Sequence, residues 1–81
     1  MKICDECLKV ESNLDGNDIG MASNLDSAED CLEACKNYAG CHGFTYLLDH
    51  DTCYFKSDAI ESLPFLSTPR MIAAKLSCFI V

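Results

Sequence analysis

Ser27-Ala-Glu-Asp-Cys31-Leu-Glu-Ala-Cys35-Lys-Asn-Tyr-Ala-Gly40-Cys41-His-Gly-Phe44-Thr-Tyr46, and after a short turn Cys53-Tyr-Phe-Lys56, governs the architecture of the chain. Its first half reads as a helix. Ala28, Cys31, Leu32, Cys35, Tyr38 and Ala39 recur with a 3.6-residue period and form one apolar stripe. Glu29, Asp30, Glu33, Lys36 and Asn37 take the opposite, solvated face. Ser27 is placed to cap the helix, with Asp30 completing a weak capping box. Glu29 and Asp30 suit the positive N-terminus, and Lys36 suits the other end. Gly40 is the expected terminator, because a C-terminal cap often needs the left-handed backbone that glycine adopts freely.

The β-branched and aromatic run Gly43-Phe44-Thr45-Tyr46-Leu47-Leu48 reads as a strand. Asp49-His50-Asp51-Thr52 reads as a turn, and Cys53-Tyr54-Phe55-Lys56 as the returning strand. Alternation puts Cys53 and Phe55 on one face, toward the helix, and Tyr54 and Lys56 on the outward face. Cys31 and Cys35 sit one turn apart on the buried stripe, so whatever they bond to is held against the helix. Cys35 and Cys41 flank the helix end, and Cys31 faces the hairpin. This layout is compatible with the requirement that bridged Cα atoms lie within about 7 Å.

Eighty-one residues make one domain with a core too small to be comfortable without staples. Seven cysteines supply them. That density belongs to oxidised, secreted scaffolds, where each disulfide contributes about 2–4 kcal/mol. Thirteen acidic against six basic side chains leave a net charge of −7. Phosphate and sulfate ligands need clustered Lys and Arg, so neither nucleic acid nor heparin is expected as the main partner. No apolar run approaches membrane-crossing length, so no membrane insertion is expected. Met1-Lys2-Ile3-Cys4-Asp5-Glu6 lacks the apolar segment of a signal peptide. The expectation is therefore one module, residues 1–81, of a longer extracellular protein.

Cys31-x3-Cys35-x5-Cys41-x-Gly43-Phe44-Thr45-Tyr46, then Cys53-Tyr54-Phe55-Lys56-Ser57, with Gly16-Asn17-Asp18-Ile19 upstream, resembles the core of a PAN/apple domain. The resemblance runs from Cys7 to Cys78. It implies a small disulfide-rich α+β fold, one helix cradled by a curved antiparallel sheet. It also implies the pairs Cys31–Cys53, Cys35–Cys41 and Cys7–Cys78, with Cys4 unpaired in the domain because the pattern has no place for it. Ser67-Thr68-Pro69 stands where the family usually has a glycine before the last strand. Similar modules bind proteins or carbohydrates in clotting-type proteases, growth factors, parasite surface and microneme adhesins, and plant receptor kinases. The implied function is non-catalytic adhesion or recognition, secreted or stored in a secretory organelle. The implied partner is a protein or glycan on a cell surface or in the extracellular space. The parent chain is expected to be tandem or multidomain.

Other motifs compete less well. Cys4-x-x-Cys7 is the alternative: a redox dithiol or half a zinc site, in a small redox or metal-binding cysteine protein. The redox form needs a strand before it and a helix after it, whereas Leu8-Lys9-Val10-Glu11 alternates as a strand. Asp15-Gly-Asn17-Asp-Ile19 mimics the start of a calcium loop, but Ile19 stands where an oxygen ligand belongs and Asp26 where a bidentate Glu does. Asp15-Gly16-Asn17 is better read as a turn, leading into a strand with Ile19 and Met21 inward. His42 and His50 lie near thiols but lack the paired spacing of a zinc finger. No catalytic nucleophile is paired with a base, and neither a metal nor a cofactor is expected. Residues 57–70 read as a loop over the sheet edge, and residues 71–81 as a long apolar last strand carrying Cys78. For ligand binding the candidates are Tyr54 and Lys56 on the outward sheet face, with His42 extending the patch.

Overall fold

In a computed structural model, which describes residues 7–79, five strands form one sheet in the order β1-β5-β3-β4-β2, each antiparallel to its neighbours. The strands are β1 (Lys9–Asn13), β2 (Asp18–Ala22), β3 (Gly43–Leu47), β4 (Thr52–Lys56) and β5 (Leu66–Lys75). One helix, α1 (Ala28–Lys36), lies against the central strands. Two 3-10 turns, Asp58–Ser62 and Leu76–Phe79, flank β5. Cys4 lies outside the described residues.

The helix starts as its sequence dictates. Ser27 is extended (φ −159°, ψ 167°) and its Oγ accepts the Asp30 N–H at 3.2 Å. The Asp30 carboxylate accepts from the N–H of Asp26, one residue ahead of the cap, at 3.3 Å. Ala28, Cys31, Leu32 and Cys35 are buried, as their periodicity predicts. Tyr38 and Ala39 are exposed, because the helix stops at Lys36 and is capped by Asn37 before the stripe reaches them. Gly40 does take the left-handed conformation (φ +83°), but in the turn beyond the helix. Tyr38 instead folds back over Phe55, with ring centroids 4.6 Å apart, and donates its hydroxyl to the Ile19 carbonyl at 3.0 Å.

Residues paired directly across strands share a face of the sheet. Ala22–Cys53–Tyr46–Ile72 and Gly20–Phe55–Phe44–Ala74 are the rows toward the helix. They supply much of the main core, in which Cys31, Phe44 and Cys53 have no exposed surface. Three disulfides fasten it: Cys31–Cys53, Cys35–Cys41 and Cys7–Cys78, with Cα separations of 5.7, 5.4 and 5.7 Å.

The opposite face corrects several expectations. It is not bare: Leu14, Ile60 and Ala73 form a second small core, with Leu63 and Phe65 packed against it. Residues 57–70 are therefore more than a loop, since a 3-10 turn anchors Ile60 and β5 has already begun at Leu66. Lys56, expected outward, is only 4% exposed, and its Nζ is bonded to the Asp18 carboxylate. Its strand position is on the outward row, but that row is covered. Ile19 and Met21, expected inward, are exposed. A register shift between Asp18 and Gly20 turns Gly20 and Ala22 toward the helix instead. Gly20 leaves room for Tyr38, whose Oη would lie 2.2 Å from a Cβ built there.

β5 is displaced from the predicted 71–81. It runs past the end of β3 as far back as Leu66, where it pairs with Asn13 of β1. Pro69 is tolerated beside an irregularity at which Glu11 and Arg70 both have positive φ (49° and 63°). Arg70 in turn grips Asp49 of the β3–β4 turn at 2.6–2.7 Å. The strand ends at Lys75, so Cys78 sits on the following 3-10 turn.

Candidate functional site

Helix α1 covers β3 and β4 but leaves the β1–β5 side of the same face open beside its own N-terminus. A groove of about 550 Å³ results. Its floor is one cross-strand row, Val10–Ile72–Tyr46, contributed by β1, β5 and β3. Leu8 and Leu48 extend the apolar lining, and the first turn of the helix, with Asp26 and Glu29, forms the far wall. Val10 is 68% exposed and Leu48 41%, values that mark this apolar surface as accessible.

Tyr46 holds the floor to that wall. Its ring is buried, and its hydroxyl donates to the Leu25 carbonyl at 2.8 Å, with Asp51 Oδ1 at 3.3 Å. The segment leading into Asp26 is thereby fixed to β3. Burial first, then the Asp51 carboxylate, pushes the Tyr46 phenol above its ordinary pKa. In the unfolded chain a phenol ionises near pH 10. The folded chain keeps the proton to higher pH, so this contribution is complete below about pH 10 and is lost as pH rises through the folded value. Between pH 9 and 11 the Tm of the parent protein should fall more steeply than that of Tyr46→Phe. Parallel slopes would show that the phenol does not carry the effect.

The rim carries carboxylates, and among the described residues none of the lining side chains is basic. Among the described residues the ion pairs are Lys56–Asp18, Arg70–Asp49 and His42–Glu61, none of which involves Asp26 or Glu29.

The residues singled out from sequence lie elsewhere. Tyr54 is half-buried on the face opposite the helix, paired across the strands with exposed Met21. The Lys56 amine is spent on Asp18 and has little surface to offer a ligand. His42 is exposed, its Nδ1 3.5 Å from Glu61, and its backbone N–H donates to the Lys56 carbonyl at 2.8 Å. His42 lies just before β3, Lys56 ends β4 and Tyr54 is at its middle, and they do not form an open patch around a free amine. Among the described residues no cluster of three or more His, Cys, Asp or Glu side chains is arranged to hold a metal. Asp15-Gly16-Asn17 is a turn, with φ of +71° and +61° at Gly16 and Asn17. The groove itself left one trace in the sequence. Leu8-Lys9-Val10-Glu11 alternates as a strand, which puts Val10 of β1 and Leu8 just ahead of it on one side.

A family model described as the PAN domain matches residues 5–79. The chain belongs to the PAN domain family. PAN domains are known as protein- and carbohydrate-binding modules and are generally not enzymes. They are typically extracellular, and the three disulfides of this PAN domain fit that setting. A search of curated proteins found no match to it. Among its described residues, no helix is long and apolar enough to cross a membrane. What the PAN domain presents to solvent is an apolar trough with a carboxylate rim on a covalently fastened scaffold, an arrangement suited to holding a ligand.

Proposed function

We propose that this PAN domain is a non-catalytic recognition module of a secreted, multidomain protein, and that it binds a protein or glycan partner on a cell surface through the groove beside the helix N-terminus. The observation that carries this reading is the Val10–Ile72–Tyr46 row, with Val10 and neighbouring Leu48 exposed, which is held by the pairing of β1 with β5 and β5 with β3 and by the Tyr46 hydroxyl. The Cys7–Cys78 bridge favours it over a redox role for Cys4-x-x-Cys7, since the Cys7 sulfur is already engaged. The test uses the oxidised, fluorescently labelled domain on intact cells, with and without prior protease or glycosidase treatment. Saturable binding is expected, abolished by one of the two treatments and weakened in a Val10→Ser, Leu48→Ser double variant of unchanged fold. Absence of saturable binding, or binding that the double variant leaves at full strength, would refute the assignment.

A further inference from the structure

We infer that the groove takes an extended segment of a partner protein in which a lysine or arginine accompanies an aliphatic side chain. This rests on the recognition reading above and specifies the ligand class. The floor and flank are aliphatic: Leu8, Val10, Leu48 and Ile72. They offer contact area but no hydrogen bonds. Lysine and arginine have the matching construction, an apolar stem that lies along such a surface and a cationic head that stays in water. At the wall, the Asp26 and Glu29 carboxylates have no cationic partner among the described residues. Both residues line the groove, so a cation is drawn to that wall.

Other occupants fit less well. A sugar would want an exposed aromatic face and several free polar groups. The one aromatic lining residue, Tyr46, is 2% exposed, and the Ser27 hydroxyl already accepts the Asp30 N–H. An anion is attracted to a helix N-terminus, but Asp26, Glu29 and Asp30 already place carboxylates there. A second copy of this chain would bring its own charge of −7 against the same acidic wall. Strand addition to β1 is impeded by the irregularity at Glu11, where φ is +49°. The groove volume of about 550 Å³ is enough for side chains of a short peptide and falls within the usual range of binding clefts.

The experiment selects random twelve-residue peptides displayed on phage against the oxidised domain, then measures the enriched peptides in solution. The expected result is enrichment of Lys or Arg alongside Leu, Ile or Val. Affinity should fall about fivefold with Asp26→Asn and again with Glu29→Gln, the size of an exposed ion pair. It should also weaken as salt is raised, and should be unchanged in a Glu33→Gln, Asp58→Asn control that removes the same charge elsewhere. Peptides that are acidic or uncharged, basic peptides bound equally by the Asp26 and Glu29 variants, or no enrichment at all would each overturn the inference. The cell-binding assay separates the two levels. Saturable binding that Val10→Ser, Leu48→Ser weakens, with no basic peptide selected, would leave the recognition role standing and remove this ligand class.

Discussion

Replacing Cys31 and Cys53 together by serine should unfold much of the population at 25 °C, whereas the same change at Cys35 and Cys41 should leave a folded, less stable domain. The first bridge spans 22 residues and the second 6. Loop-closure entropy alone then assigns about 3 kcal/mol to the former and about 2 kcal/mol to the latter. The surroundings widen the gap. Cys31 and Cys53 have no exposed surface and lie in the apolar core, so two serine hydroxyls there must be desolvated, at about 1–3 kcal/mol for each one left without a partner. The Cys41 sulfur, by contrast, lies 3.1 Å from the Gly43 carbonyl oxygen, and a serine hydroxyl in its place has an acceptor ready. A small domain's net stability is about 5 kcal/mol or somewhat more, so only the first loss approaches the whole of it. Urea titrations followed by circular dichroism would decide the ranking. Equal midpoints for the two double variants would contradict it.

Gly43→Ala should lower the Tm by roughly 5–20 °C, a large effect for one methyl group. Gly43 opens the central strand, paired with Lys56 on one side and Lys75 on the other. A Cβ there would sit 2.7 Å from the Ala74 carbonyl oxygen and 2.8 Å from Ile60 Cδ1. The isoleucine tip can rotate away, but the carbonyl belongs to β5 and cannot move without moving the strand. Overpacking of this kind costs about 1–3 kcal/mol, and about 1 kcal/mol shifts the Tm of a domain this size by some 4–8 °C. Elsewhere in a strand, alanine is no worse than glycine. A thermal melt in which Gly43→Ala matches or exceeds the parent would mean that β5 does not hold the Ala74 carbonyl against Gly43.

The helix and its hairpin were legible in the sequence because their signals are local. Ser27, the Cys31–Leu32–Cys35 stripe, and the alternation of Cys53 and Phe55 each follow from a few neighbouring residues. The second core was not legible. Ile60, Leu63 and Phe65 follow neither a helical nor a strand period, because a 3-10 turn and an irregular segment deliver them. That omission explains the error at Lys56: alternation tells which face a side chain takes, not whether the face is covered. Pro69 hid the start of β5, since proline usually argues against a strand and is accepted here only at an irregularity. The groove depends on β1 and β5 meeting beside the helix N-terminus, and that adjacency joins Val10 to Ile72 across most of the chain.

The Cys7–Cys78 bridge also decides how the domain would respond to being pulled. Its two Cα atoms are 5.7 Å apart, although 71 positions separate them along the chain. Tension arriving through the backbone before Cys7 and leaving after Cys78 takes the covalent shortcut. The sheet, the helix and the groove lie off the load path, slack between two clamped ends. In a tandem array under shear, such a unit would transmit force as a knot does, adding almost no length and keeping its binding surface in shape while the linkers stretch. Reducing that one bridge would place the same 71-position segment in series with the pull, turning a rigid bead into an extensible spring.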